Sequence, residues 1–148
     1  MIDDFRDLLR ELVSGHARFL VVGAHALSAH GVPRATVELD IWIRSDEDNA
    51  QRVYDALARF GAPLEALGVS RSDFTQAGMV AQFGLPPYRV DILTSISGVS
   101  FDAAWDERLE GEIEGVRVPI IGLRSFVLNK RASGRKKDLA DLESLGLE

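Results

Sequence analysis

Residues 37–43, VELDIWI, place two carboxylates inside a run that otherwise has the composition of a buried β-strand. Because side chains alternate between the two faces of a strand, the four odd-numbered apolar residues share one face, and Glu38, Asp40 and Trp42 share the other. Two carboxylates on one face repel each other unless a cation neutralises them, and acidic residues are depleted in strands. One face of the strand could therefore bind a cation while the other packs into the core. An amphipathic strand with one solvated face fits the same pattern.

A small-residue turn precedes this strand. The segment FLVVGA predicts a buried strand that ends at Gly23 and continues through Ala24 into a short helix. A glycine at such a turn lets the backbone approach a phosphate, and the start of the helix offers N–H donors and a partial positive charge. Many α/β domains contain one such turn, so the turn alone is weak evidence for a phosphate site. The evidence comes from its spacing, since thirteen residues, 25–37, separate it from Glu38.

A third carboxylate, Asp91, lies inside the apolar run RVDIL at residues 89–93, on the face opposite Val90 and Ile92. A single aspartate in a strand often makes a hydrogen bond that the fold requires. Together with Glu38 and Asp40, however, Asp91 would complete an oxygen-rich ligand set for Mg²⁺ or Mn²⁺ in a two-metal site.

Basic residues that could offset phosphate charge lie at Arg34, just before the carboxylate strand, and in the late cluster KRASGRKK at residues 130–137. Lys130 is the strongest candidate for phosphate binding in that cluster. The alternative is a helix end with ordinary intrahelical ion pairs, such as Lys137 with Asp141 at i,i+4.

Composition limits the class of protein. The 148 residues suit one domain, residues 1–148, and the absence of cysteine excludes disulfides and thiolate chemistry. A net charge of −6 argues against constitutive binding to DNA or RNA. No apolar run reaches the roughly 18 residues that a membrane crossing needs, and the acidic, amphipathic N-terminus is unlike a signal peptide. A cytoplasmic protein without membrane contact is expected.

Periodicity predicts strands interleaved with helices, and hence an α/β or α+β domain with a mixed sheet flanked by helices. Ser45 is the predicted N-cap of the third helix, and GLPP is the predicted turn of a hairpin. The predicted helices are 2–14 (beginning at Ile2), 24–30, 46–60, 101–109, 123–132 and 136–145, with two short helical pieces in 61–78. The predicted strands are 19–22, 37–43, 79–83, 88–94 and two around residues 114–115. The predicted core includes Leu9, Leu12, Leu20, Val22, Leu39, Ile41, Val53, Leu57, Val90, Ile92 and Leu128.

Together these segments resemble the nucleotidyltransferase superfamily, which has the polymerase-beta-like fold. The resemblance rests on Val22-Gly23-Ala24, on Glu38-Leu39-Asp40-Ile41 and on Val90-Asp91-Ile92. HGVPRATVELDIWI and NKRASGRKKDLADL are similar to the stand-alone bacterial branch that includes abortive-infection type toxins. The residues at that branch's positions are His30, Gly31, Arg34, Thr36, Lys130, Gly134, Arg135, Lys137, Asp138 and Asp141.

The resemblance implies transfer of a nucleoside monophosphate from a nucleoside triphosphate such as ATP to a hydroxyl of a protein or RNA acceptor. It implies Mg²⁺ or Mn²⁺ as cofactor, C-terminal helices beside the sheet, and a toxin–antitoxin partner. The implied catalytic and metal-binding residues are Glu38, Asp40 and Asp91, and the implied nucleotide-binding residues are Gly23, Ala24, Arg34, Thr36 and Lys130.

Two positions depart from the family pattern. Ala24 stands where glycine or serine is usual, and Glu38 stands where aspartate is usual. The extra methylene of Glu38 can displace a metal ligand by roughly an ångström, and a shift of that size can cost on the order of 10²-fold in rate. The alternative function is therefore a catalytically weakened binding module or an antitoxin-like regulatory module with the same fold.

Overall fold

The computed structural model describes residues 3–147, so Ile2, the predicted first residue of the N-terminal helix, lies outside the described residues. Within residues 3–147 the α-helices are α1 (Asp3–Ser14), α2 (Gly23–Ala29), α3 (Glu47–Phe60), α4 (Phe101–Asp106), α5 (Leu123–Ser133) and α6 (Lys136–Ser144), with a 3₁₀ helix at Arg71–Thr75. The strands are β1 (Phe19–Val22), β2 (Glu38–Ile43), β3 (Val80–Phe83), β4 (Arg89–Leu93), β5 (Leu109–Ile113) and β6 (Val116–Ile120).

These strands of the described part of the chain form one mixed sheet in the order β3-β4-β2-β1-β6-β5. β2 pairs with β4 in parallel, and β1 pairs with β6 in parallel, whereas the remaining neighbours are antiparallel. The prediction of a mixed sheet flanked by helices, including two C-terminal helices, is confirmed. This order places the carboxylate strand β2 inside the sheet, where both of its edges are hydrogen-bonded.

Helices cover both faces of the sheet. On the face opposite the carboxylates, the ring of Phe60 in α3 lies 6.4 Å from that of Phe83 in β3. On the carboxylate face, Phe101 of α4 makes an edge-to-face contact with Trp42, with ring centroids 5.1 Å apart. Trp42 is 1% exposed, so it belongs to the core beneath α4.

Helix α3 begins one residue later than its predicted start, and its cap differs from the predicted one. The Asp46 carboxylate accepts a hydrogen bond from the backbone N–H of Asn49 at 2.8 Å, so Asp46, and not Ser45, is the N-cap. Asn49 is itself buried, and its amide donates to the carbonyl oxygens of Arg18 and Arg44 at 2.9 and 2.7 Å. These bonds fix the start of α3 against the residue just before β1 and the residue just after β2.

Most predicted core residues are buried, but Leu128 is 44% exposed and its prediction was wrong. Phe126 and Lys130 lie one helical turn apart and face inward, so Leu128 between them points outward. The predicted fourth helix is also shorter than expected, because Leu109 begins β5. Residues 61–78 contain one 3₁₀ helix instead of two helical pieces.

None of the helices within residues 3–147 combines the length and the apolar composition that a membrane crossing requires.

Candidate active site

The strand register brings the three predicted carboxylates together. In the parallel pair of β2 and β4, Asp40 lies directly opposite Asp91, and Glu38 lies opposite Arg89. In the antiparallel pair of β1 and β2, Val22 lies opposite Asp40. The end of β1 and the middle of β4 therefore flank Asp40 on its two sides, and Glu38 is its neighbour on the same face of β2.

Gly23 makes room for Asp40. Its φ is +71°, a backbone conformation that residues with a side chain rarely adopt. A Cβ atom at this position would collide with the carboxylate of Asp40 and would lie 3.0 Å from its Cγ. The predicted phosphate turn thus needs a glycine at residue 23 because the carboxylate of Asp40 packs against its backbone.

Asp40 resists ionisation. Burial raises its pKa, and the neighbouring charges of Asp91 and Glu38 raise it further, while Lys137 and Arg89 lower it in part. The net result is a pKa of about 6. The buried position of Asp40 and the carboxylates beside it therefore disfavour its charged form.

Arg89 bridges two of the three carboxylates. Its Nη2 lies 3.0 Å from Oε1 of Glu38 in an ion pair, and its Nε donates to Oδ1 of Asp91 at 3.0 Å. Sequence reasoning missed this residue, although the signal was present. Arg89 and Asp91 are two positions apart on one strand, so the period of two that places Asp91 on the site face also places Arg89 there.

All eight predicted site residues line one cleft of about 880 Å³. They are Gly23, Ala24, Arg34, Thr36, Glu38, Asp40, Asp91 and Lys130. Further polar residues that were not predicted as site residues also face the cleft, among them Gln82, Arg89, Ser95, Ser97, Asn129 and Lys137. The cleft thus combines carboxylates from the sheet with amide, hydroxyl and cationic groups from the C-terminal half of the chain.

Two predicted nucleotide-binding residues just before β2 are already engaged with the protein. The Thr36 hydroxyl accepts from the backbone N–H of Glu38 at 3.0 Å and donates to its carbonyl oxygen at 3.3 Å. This local pair of bonds shapes the chain where it enters β2. The Arg34 side chain is 41% exposed and its Nη1 lies 2.9 Å from Oδ1 of Asp141 on α6.

Lys130 belongs to a set of charged and polar groups that we call the C-terminal charge network. Its ammonium lies 3.2 Å from Oδ1 of Asp138 and 3.1 Å from Oδ2 of Asp141, and the residue is only 7% exposed. The network joins the loop before β2 to α5 and α6, and its members are Arg34, Lys130, Ser133, Arg135, Asp138 and Asp141.

Within the network, Asp138 is fully buried yet ionised. Burial opposes its ionisation, but hydrogen bonds from Ser133, Arg135 and Lys130 outweigh that effect and hold the pKa of Asp138 well below its ordinary value. The Ser133 hydroxyl donates to Oδ2 of Asp138 at 2.6 Å, and Nε of Arg135 donates to the same oxygen at 2.9 Å. Asp138 therefore ties α5 to α6 at the wall of the cleft.

The donor set of the site fits a hard divalent cation. Glu38, Asp40 and Asp91 offer only carboxylate oxygens, the ligands that Mg²⁺ and Mn²⁺ prefer, and the Arg89 guanidinium already stands as a cation between two of them. In the described part of the chain, however, no three acidic or histidine side chains are gathered closely enough to form a ready-made metal site. Side-chain rearrangement around Arg89 would be needed to form one.

Comparison with known proteins identifies a structural relative. No protein-family model matches the sequence, and no curated protein matches it. A crystal structure from Thermotoga maritima, described as a "putative nucleotidyltransferase", superposes with a TM-score of 0.59 at 16% sequence identity. The match covers 96% of this chain and 88% of that one. At this identity the likeness establishes the fold alone, and the chain has a nucleotidyltransferase-like fold.

Proposed function

We propose that this protein transfers a nucleoside monophosphate from a nucleoside triphosphate to a hydroxyl group of a protein or RNA acceptor. The observation that carries the proposal is the register that sets Asp40 opposite Asp91, with Glu38 beside it and Gly23 against its carboxylate. These groups converge in a polar cleft whose volume of about 880 Å³ lies within the usual range of small-molecule sites.

In this proposal Glu38, Asp40 and Asp91 would hold Mg²⁺ or Mn²⁺. The ion would offset the charge of the triphosphate and of the leaving pyrophosphate during in-line displacement. Asp91 accepts the proton of the acceptor hydroxyl while the oxygen of that hydroxyl bonds to the α-phosphorus. The bond from that phosphorus to the bridging oxygen of the β-phosphate breaks, and pyrophosphate leaves.

Nucleotide binding falls to the walls of the cleft. The backbone at Gly23 and Ala24 lies beside the carboxylates, and Arg34 is exposed enough to reach a phosphate oxygen. Lys137 faces the cleft as a further exposed cation. Lys130 is already paired with two carboxylates, so its proposed contribution is to hold Asp141, and through it Arg34, in place.

A second candidate function is nucleotide binding without turnover, as in a regulatory or antitoxin-like module. The pairing of Arg89 with both Glu38 and Asp91 favours it, because in this arrangement two of the three carboxylates already contact a cation. The resemblance of the sequence also implies a toxin–antitoxin partner, and we propose such a partner for either function.

The test is incubation with each labelled nucleoside triphosphate, Mg²⁺ or Mn²⁺, and candidate protein and RNA acceptors. Wild type is compared with Asp40→Asn and with Asp102→Asn, a matched change of an exposed aspartate that pairs with Arg44 away from the cleft. Label transfer that Asp40→Asn abolishes and Asp102→Asn preserves supports the transferase. Nucleotide binding without transfer supports the module, and the absence of both binding and transfer contradicts both functions.

A further inference from the structure

Arg89 occupies the position of a cation in the carboxylate site. Its guanidinium contacts Glu38 through Nη2 at 3.0 Å and Asp91 through both Nε at 3.0 Å and Nη2 at 3.3 Å. A guanidinium cannot lose its proton under ordinary conditions, so it can yield these oxygens only by moving away. A divalent ion bound to Glu38 and Asp91 would therefore have to displace this side chain.

The surroundings of Arg89 leave room for such a movement. The side chain is 44% exposed, in contrast to the Asp91 side chain at 12%. Arg89 lines the main cleft and also a neighbouring groove of about 300 Å³ beside the β3–β4 turn, which includes Gly84 and Tyr88. Ion pairs at such exposure contribute little to stability, so releasing the guanidinium costs the fold little.

A released guanidinium would remain beside the site. Because Arg89 lies on β4 two residues before Asp91, its side chain stays within the cleft that would receive the triphosphate. The planar fork of a guanidinium matches two phosphate oxygens as well as it matches a carboxylate. The nucleotide would thus supply the anion that Arg89 loses when the metal takes Glu38 and Asp91.

We propose that Arg89 competes with the divalent ion for Glu38 and Asp91 in the free protein and turns to the nucleotide phosphates when both ligands bind. The inference rests on the proposed nucleotide and metal site and adds a coupling to it. Metal alone must displace Arg89 without compensation, whereas metal with nucleotide gives Arg89 a new partner. Each ligand should therefore raise the affinity for the other, as reciprocal linkage requires.

The experiment measures Mn²⁺ binding by calorimetry at low ionic strength, with and without a non-hydrolysable ATP analogue. The variant is Arg89→Gln, which removes the cation and keeps a polar side chain. The matched control is Arg44→Gln, because Arg44 also bridges two carboxylates, Asp46 and Asp102, at 2.9 Å each and 39% exposure. Thermal unfolding of each variant checks that the fold is retained.

We expect Arg89→Gln to bind Mn²⁺ alone roughly threefold to tenfold more tightly than wild type, since an exposed competing charge is removed. The enhancement of Mn²⁺ affinity by the nucleotide should shrink in this variant, and Arg44→Gln should behave as wild type. Arg89→Lys, which keeps the charge without the fork, should retain the competition with Mn²⁺ but lose part of the nucleotide coupling.

The results that would overturn the inference differ in what else they affect. If wild type binds Mn²⁺ and nucleotide, but Arg89→Gln binds Mn²⁺ equally or more weakly, Arg89 is a structural support and the proposed function stands. If Arg89→Gln fails to fold, Arg89→Lys replaces it, and Mn²⁺ affinity of Arg89→Lys well above that of wild type would likewise overturn the competition. If neither wild type nor Arg89→Gln binds Mn²⁺ or nucleotide, the proposed function fails together with the inference.

Discussion

Two clusters of charged residues line the same cleft and differ in burial and in charge balance. The carboxylate site of Glu38, Asp40 and Asp91 has one bridging cation, Arg89, which is 44% exposed. The C-terminal charge network sets Lys130 against two carboxylates, those of Asp138 and Asp141, at 9% exposure or less for all three side chains. Arg34 and Arg135 add two more cations to the network at its surface.

The pKa values of two aspartates express this difference. Burial and neighbouring carboxylates raise the pKa of Asp40 to about 6. Asp138 has no exposed surface, yet hydrogen bonds and cations hold its pKa well below the ordinary value. Burial alone therefore does not decide the protonation of an aspartate, because the partners inside the cluster can outweigh it.

The comparison separates a structural role from a binding role. A cluster whose charges are already balanced gains little from an additional ion. The cost of removing its charges from water is compensated only while every partner is present. A cluster with surplus carboxylates becomes more stable when a cation arrives. The following predictions test this division, beginning with the largest expected effect.

Lys130→Met should reduce the free energy of unfolding by about 3–5 kcal/mol, because it leaves Asp138 and Asp141 buried without their shared cation. Urea denaturation measures the loss. Arg89→Gln, which also removes a cation from two carboxylates, should leave the unfolding free energy close to that of wild type, since its pairs are exposed. Equal losses in the two variants would refute the division into a structural and a binding cluster.

Gly23→Ala should lower the free energy of unfolding by about 1–3 kcal/mol through backbone strain and through collision with Asp40. Gly31→Ala is the matched control, because Gly31 also has a positive φ, +101°, but a Cβ there would meet nothing within 4 Å. Gly23→Ala should lose more stability than Gly31→Ala in thermal unfolding, and it alone should impair Mn²⁺ binding. Equal behaviour would mean that the contact with Asp40 does not matter.

Asp40→Asn should stabilise the protein at neutral pH by on the order of 1–2 kcal/mol, which is only part of the free energy that corresponds to the pKa shift of Asp40. The folded-state pKa is about 6 against 3.8 for the ordinary group, so between these values the folded state binds more protons than the unfolded state. Ionisation of Asp40 therefore costs wild type stability as the pH rises from about 4 to 6.

The measurement is the unfolding free energy of wild type and Asp40→Asn across that pH range. The advantage of the variant should be small at about pH 4, grow up to about pH 6 and then remain constant. Asp102→Asn, at an aspartate whose side chain is 74% exposed, controls for a general effect of removing negative charge. A difference that does not change with pH would show that ionisation of Asp40 does not oppose folding.

Arg34→Gln should cost only about 0.5–1 kcal/mol of stability, because its ion pair with Asp141 is partly exposed. Its effect on nucleotide affinity should be larger than its effect on folding, since Arg34 connects the network to the cleft. Calorimetric titration with an ATP analogue measures the first effect and urea denaturation the second. Unchanged nucleotide affinity would place Arg34 with the structural cluster alone.

The candidate site could be predicted from sequence where its signals are local. Alternation along β2 and β4 identified the carboxylates, and the strand–glycine–helix pattern identified Gly23. Arg89 carries the same alternation signal, but a cation on a strand face does not by itself indicate a metal or nucleotide site. Lys130 could be predicted as a cation near the site, whereas its burial between two aspartates depends on how α5 packs against α6.

The sequence by itself determined the order of helices and strands, the apolar face of β2 and the presence of carboxylates on its other face. These features follow from side-chain periodicity and turn residues, which act over a few positions of the chain. Only the tertiary structure decided that Asp40 faces Asp91, that Arg89 bridges Glu38 to Asp91, and that Lys130 is buried between two carboxylates. Strand register and burial depend on contacts between residues far apart in sequence, and these same contacts set the pKa values of Asp40 and Asp138.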